Sequence, residues 1–406
     1  MSLKEELLEN SKTFCMFPWL HLYVSPKGKV YPCCTTDQSD SLGDIRENTL
    51  EEIFNNDKTK ELRYNMAKGI PSKICSMCYK AEETNSDSYR NYSKVLFKHR
   101  FDEVVENTMA DGTVNEFKMR LIDVRFSNIC NFGCRTCGSE CSSFWAAEER
   151  KAGKIDWITI HADDNSGKLL DEVLGHVDHA DMIYFAGGEP LITDEHYAIL
   201  HEMIKRGKTS TPIKYNTNAS TVSYKDNDLF DLWKHFDNIE LACSIDHYGE
   251  RAEIIRHGTD WGKVETNLIN FRKLKNVNFS LSTVLSVFNY LTIHDFYRYM
   301  IEKDLVRPND TAHYLSLTTN PKYFCATIIP PALKGPVTPD IHKFMDSIPE
   351  YELIRYQLDS AIKFANSTHN WEEQRYDFVR QIYLRDRLRG EDVMKVFPEL
   401  TLMFDN

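Results

Sequence analysis

Short apolar runs and longer amphipathic runs alternate through the middle of the chain. Apolar runs at 121–126, 182–186, 213–216, 239–245, 277–285 and 313–317 have strand length and are rich in β-branched and aromatic residues. Between them, apolar positions recur every three or four residues over 194–205, 225–235, 262–274 and 293–303, which predicts helices. Strand and helix in alternation predict βα units on a parallel sheet. Six such units give the expected fold class: α/β, a partial (β/α)6 TIM-like barrel, with its chemistry at the C-terminal strand ends. Ahead of it, 50–64 reads as a helix. Behind it, Ile329-Pro330-Pro331 opens a segment with two amphipathic helices, at 351–366 and 371–389. The pattern divides the chain into 1–100, 115–326 and 327–406.

Cysteine placement adds chemistry to this outline. Nine of the 11 cysteines fall before residue 142. Met1 to Asn10 carries charge and lacks a long apolar core, and no stretch reaches the length of a membrane span. A reducing, cytoplasmic setting is therefore expected, where grouped cysteines are more often metal ligands than disulfides. Cys130, Cys134 and Cys137 follow the first barrel strand with Cys-x3-Cys-x2-Cys spacing. Three thiolates can hold three irons of a [4Fe–4S] cube and leave the fourth open for chemistry. Zinc, which prefers closed tetrahedral sites, is the alternative metal.

Gly187-Gly188-Glu189-Pro190 follows the second barrel strand, Thr217-Asn218 the third, and Ser244-Ile245-Asp246 lies in the fourth. With the cysteine loop, these residues make the chain resemble the radical S-adenosylmethionine (SAM) enzymes over about 120–320. One position departs: Thr136 stands before the third cysteine, where the family usually has an aromatic residue near the adenine. A second resemblance lies upstream. Cys15-x12-Gly28-x4-Cys33 and Cys75-x2-Cys78, with Leu42-Gly43-Asp44-Ile45-Arg46 between them, look like the twitch module, a shortened SPASM auxiliary-cluster domain. Here the module precedes the barrel, whereas it usually follows.

The resemblance implies two [4Fe–4S] clusters. Cys130, Cys134 and Cys137 would hold the one that binds SAM, and Cys15, Cys33, Cys75 and Cys78 the auxiliary one. Cys34 competes with Cys33 for the fourth place, and zinc is the alternative there too. Gly187 and Gly188 let backbone approach the methionine end of SAM. Glu189 either accepts from the amine or holds the loop that Pro190 closes. Asn218 is a candidate for the ribose, and Ser244 and Asp246 share one strand face. Arg256 is the candidate for the SAM carboxylate, and Asn289 a further contact. Asp246, Glu189, His247 and His257 are candidate bases. Cys325 is either a cavity thiol that returns hydrogen to a substrate radical or a small buried apolar residue. Cys141 reads as an unligated thiol, and Cys243 as facing the helices.

The implied activity is reductive cleavage of SAM to a 5′-deoxyadenosyl radical that abstracts hydrogen from a peptide or protein side chain. The auxiliary cluster would assist electron transfer, and a flavodoxin- or ferredoxin-type reductase would supply electrons. Two alternatives stay open: a dehydrogenase of a small alcohol or aminocyclitol, and a non-catalytic iron–sulfur binding protein. A formal charge of −12 disfavours nonspecific binding to nucleic acid or anionic membranes. The arginines at 375, 380, 385, 387 and 389 read as a solvated helix face, with a basic stripe as the other reading.

Overall fold

The computed structural model describes residues 2–83 and 87–404. Residues 1, 84–86, 405 and 406, which the sequence reading placed in the N-terminal and C-terminal segments, lie outside the described residues. In chain order the strands are β1 (His21–Val24), β2 (Lys29–Tyr31), β3 (Gly43–Asp44), β4 (Leu121–Val124), β5 (Gly133–Cys134), β6 (Met182–Phe185) and β7 (Ile213–Thr217). They continue as β8 (Ser223–Tyr224), β9 (Asn227–Asp228), β10 (Ile239–Ser244), β11 (Arg256–His257), β12 (Val277–Leu285) and β13 (Tyr314–Leu317). The fold class is mixed α/β with mostly parallel pairing of the long strands, as the alternation of apolar runs predicts.

By compactness the chain forms two units. The first takes residues up to 129, 157–214 and 234–237; the second takes 130–156, 215–233 and 238 onward. These lines cut across the three segments read from the sequence.

In the first unit the hydrogen-bonded order is β3-β2-β1-β4-β6, and β6 neighbours the start of β7. β1 comes from the N-terminal segment and pairs in parallel with β4, His21 opposite Leu121 and Val24 opposite Val124. The N-terminal segment thus adds a strand to the sheet edge at β4. β2 returns antiparallel to β1 through a turn at Gly28, whose φ is +75°. A Cβ there would meet the Ala162 carbonyl oxygen at 2.3 Å, so the turn requires glycine. In the second unit β10, β12 and β13 run parallel side by side.

The expected helices at 194–205 and 371–389 form with those bounds, as Asp194–Lys205 and Trp371–Arg389. Two others differ for local reasons. The stretch at 50–64 is two helices, Leu50–Phe54 and Asp57–Ala67, because the Asn56 side chain accepts from Thr59 N and starts a new helix. The one expected at 225–235 shrinks to Leu229–Trp233, since Lys225 adopts φ +52° in the β8–β9 turn. Cys243 is fully buried on β10.

Of the five arginines read as a solvated face, Arg380 and Arg387 are exposed and Arg375 is half-buried, but Arg385 and Arg389 depart from it. Arg385 and Arg389 are buried and both pair with Glu148, at 2.7 and 2.8 Å. The Arg385 guanidinium also lies 3.7 Å from the centre of the Trp145 ring. Among the described residues, no helix is long and apolar enough to cross a membrane.

Candidate functional site: a wired cysteine loop and a four-thiol cavity

The loop bearing Cys130, Cys134 and Cys137 is held by its own backbone. β5, in its middle, pairs antiparallel with β11, so that Arg256 faces Cys134 and His257 faces Gly133. The Cys137 amide donates to the Cys134 carbonyl at 3.0 Å, and Trp145 Nε1 donates to the same carbonyl at 2.7 Å. Ser142 Oγ donates to the Phe132 carbonyl at 2.6 Å, and Ser143 Oγ receives the Cys130 amide at 3.1 Å. All three cysteines are free thiols and half-buried. Cys141 is exposed, and its thiol hydrogen-bonds that of Cys137.

Arg256 and Asp246 form a buried fork beside this loop. Arg256 Nε lies 2.9 Å from Asp246 Oδ2, and Nη2 donates to Oδ1 at 3.1 Å. The Val284 amide donates to the same Oδ1 at 2.8 Å. Asp246 is thereby engaged on both oxygens, which makes it a support for Arg256 rather than a free base. Arg256 Nη1 lies 3.7 Å from Cys134 Sγ. Burial pushes the Cys134 thiol up, and the Arg256 charge acts against that. Asn218 Nδ2 donates to Asn131 Oδ1 of the cysteine loop at 2.9 Å. Ser244 stands at the end of β10, half-buried, in register with Ser282.

In the first unit, the Gly-Gly-Glu-Pro run closes onto Ile129, the residue before Cys130. A Cβ on Gly188 would meet the Ile129 carbonyl oxygen at 2.0 Å, and the Glu189 amide donates to that oxygen at 2.8 Å. Gly187 has φ +129°. Glu189 is buried, and its Oε1 accepts from the Leu191 amide at 3.0 Å, which holds the loop. Pro190 begins the short turn that follows.

Cys15, Cys33, Cys75 and Cys78 line one small cavity with Phe17, Met66 and Arg90. Ser93 Oγ is 3.2 Å from Cys15 Sγ, and Thr36 Oγ1 is 3.3 Å from Cys33 Sγ. Burial pushes the Cys15 thiol up to about 12. Cys34 turns to different company: its thiol hydrogen-bonds Tyr89 near the charges of Asp123 and Arg125. Among the described residues, no three His, Cys, Asp or Glu side chains converge closely enough for one metal ion. Four thiols around one cavity are a donor set that suits an iron–sulfur cluster.

The remaining candidates are each engaged by partners of their own. Cys325 is buried between two short turns, and its thiol donates to the Pro321 carbonyl at 3.8 Å. Asn289 is fully buried and brackets the end of β12, donating to the Asp246 and Val284 carbonyls at 3.1 and 2.9 Å. His247 shares a hydrogen bond with Thr292, and His257 Nδ1 lies 2.5 Å from Glu391. Sequence reasoning missed Arg135, which sits within the cysteine loop. It is fully buried and pairs with Asp386 at 2.6 Å and with Glu391. A charge between two expected cluster ligands was the available signal.

Comparison with known proteins fits these two arrangements. Residues 124–300 match the radical SAM superfamily, and residues 15–79 match SPASM, an iron–sulfur cluster-binding domain. The chain thus carries a radical SAM domain match, with a SPASM match on its N-terminal side. A radical SAM domain uses a [4Fe–4S] cluster and SAM, and a SPASM domain holds auxiliary iron–sulfur clusters. No curated protein matches the chain. Among solved structures, anSMEcpe with bound AdoMet is 20% identical over 48% of this chain and 52% of that one, with a TM-score of 0.34. Streptococcus suis SuiB bound to S-adenosylmethionine is 13% identical over 74% of this chain and 64% of that one, with a TM-score of 0.35. TYW1 with a lysine–pyruvate adduct is 14% identical over 44% and 58%, with a TM-score of 0.24. The chain spans between about half and two thirds of the lengths of these structures.

Proposed function

We propose that the chain is a radical SAM enzyme that abstracts hydrogen from a peptide or protein side chain. Cys130, Cys134 and Cys137 would hold the SAM-binding [4Fe–4S] cluster, and Cys15, Cys33, Cys75 and Cys78 the auxiliary one. Once bound, the first cluster and SAM together supply the 5′-deoxyadenosyl radical, the hard chemistry that no side chain provides. The observation that carries the reading is the Asp246–Arg256 fork beside Cys134.

The protein's own residues then have distinct tasks. Arg256, fixed by Asp246, presents a guanidinium for the SAM carboxylate. Gly188 keeps side-chain bulk out of the contact with Ile129, and Glu189 pins that turn to the chain entering the cysteine loop. Asn218, tied to Asn131, keeps a polar group at the end of β7 for the ribose. Thr36 and Ser93 place hydroxyls against auxiliary ligands Cys33 and Cys15. Cys34 is left out of the ligand set in this reading. A flavodoxin- or ferredoxin-type reductase in the cytoplasm supplies the electrons.

The test is 5′-deoxyadenosine formation by anaerobically reconstituted protein with SAM and dithionite. The control is the variant Cys130→Ala/Cys134→Ala/Cys137→Ala. Product from the parent and none from the variant is expected. No product from a parent that carries both clusters would overturn the reading.

A further inference from the structure

β4 reads Leu121-Ile122-Asp123-Val124 and runs on into Arg125. Alternation puts Asp123 and Arg125 on one side of an otherwise apolar strand. Register extends that side across the neighbours. Tyr23 of β1 stands opposite Asp123, and Ile122 opposite Ile183 makes Tyr184 the next neighbour on β6. Arg125 Nη2 lies 2.8 Å from Asp123 Oδ1. Its guanidinium sits 4.8 Å from the Tyr184 ring centre and 5.7 Å from that of Tyr23. Cys34 and Tyr89 join the group from the N-terminal segment.

This buried pair is not saturated. Asp123 is 0% exposed and Arg125 7%. Neither oxygen of Asp123 accepts a hydrogen bond, because the ion contact is poorly aligned for one, and Arg125 Nη1 has no hydrogen-bond partner. Buried polar groups left in this state are uncommon and call for an explanation. Position supplies one. A Cβ on Gly187 would lie 3.0 Å from Arg125 Cδ, so the arginine packs directly against the Gly-Gly turn. Tyr184, on the same face, is only half-buried.

We propose that Asp123 and Arg125 anchor the substrate by an amide group. The amide oxygen accepts from Arg125 Nη1, and the amide N–H donates to the unused Asp123 oxygen. The charges of the pair already cancel, so an incoming ion would bring an uncompensated charge into a buried place. A neutral, flat group with one acceptor and one donor matches what the pair lacks, and peptides carry that group at every residue. This deepens the peptide reading above, and it rests on that reading for what the anchored substrate meets next.

The experiment is saturation-transfer NMR on the cluster-loaded full chain without SAM, with N-acetylglycinamide as probe and acetate and myo-inositol as competitors. It needs no turnover, so failure of the anchor and failure of the SAM reaction are read separately. The diamide should bind and resist both competitors. Arg125→Lys keeps the charge beside Asp123 but loses the second nitrogen, and should weaken the diamide about tenfold. The charge-neutral pair Asp123→Asn/Arg125→Gln, which leaves no ion unpaired, should weaken it as much. Iron content and melting temperature report folding of each variant. The proposal falls if the parent does not bind the diamide or prefers acetate or inositol, or if folded Arg125→Lys binds it as well as the parent. Competition on the parent decides the chemistry even if both variants fail to fold.

Discussion

Gly188 has no room for a side chain, and the atom that forbids it belongs to the residue before the first cysteine of the loop. A methyl group would sit 2.0 Å from the Ile129 carbonyl oxygen, so either the turn or the approach to Cys130 must shift. Gly188→Ala should weaken SAM binding at least about tenfold, the scale on which small misplacements of a positioned group are felt. Equilibrium dialysis on the reconstituted protein measures it, and parental affinity would show that this turn does not shape the SAM site. The auxiliary thiols offer a second test. Thr36 Oγ1 lies 3.3 Å from Cys33 Sγ, and a hydroxyl donating to a ligand sulfur favours the more negative, reduced cluster. The near-isosteric Thr36→Val should therefore move the auxiliary potential to more negative values in a redox titration followed by EPR. An unchanged potential would remove Cys33 from the ligand set or the hydroxyl from its bonding. Neither contact was visible in the sequence: the cysteine spacings gave the ligand candidates, but hydroxyl placement depends on where the chain folds back.

The Trp371–Arg389 helix and the residues after it grip the cysteine loop and the helix that follows. Arg135 of the loop is buried between Asp386 and Glu391, and Glu148 takes Arg385 and Arg389. Removing both acids as Asp386→Asn/Glu391→Gln leaves Arg135 charged and unpaired. The expected loss is about 3–5 kcal/mol, with a matching loss of iron from the loop. Adding Arg135→Met should restore most of the stability, because the stranded charge is then gone. Melting curves and iron content for the two variants check this, and a double variant as stable as the parent would sink it. The helix itself was legible end to end, as a run of 19 residues without glycine or proline that Gly390 closes. Its function as a clamp was not. Charge on a helix reads as solvent-facing, and here Arg385 and Arg389 are buried against partners more than 230 residues away in the sequence. The same limit applies to β1. Its four residues give little pattern, and its parallel pairing with β4 joins segments 100 residues apart. By contrast, Asp123 and Arg125 were readable in principle as two charges on alternate positions of an apolar strand.

At the scale of the whole molecule, buried histidines make stability depend on pH. Burial holds His196 in the first unit down at about 3. Burial, aided by the Arg251 charge, holds His247 in the second unit at about 3 as well. In the unfolded chain both return to about 6.5. Between those values the unfolded state binds protons that the native state refuses. The stability contribution is therefore fully present above about pH 6.5 and is lost as pH falls below it. The slope is about 1.4 kcal/mol per pH unit for each group, so acidification to pH 5 costs about 4 kcal/mol for the two together. His196 packs edge-on against Phe185 with ring centres 4.7 Å apart, so a phenyl ring suits its place. Burial lowers His21, His176 and His294 as well, so His196→Phe removes one of at least five such titrations and should cut the fall in melting temperature between pH 7.5 and pH 5 by roughly a fifth. A variant whose melting temperature falls as steeply as the parent's would mean that His196 takes up its proton in the native state. Acid sensitivity would then have to be traced to the ion pairs that hold the cysteine loop.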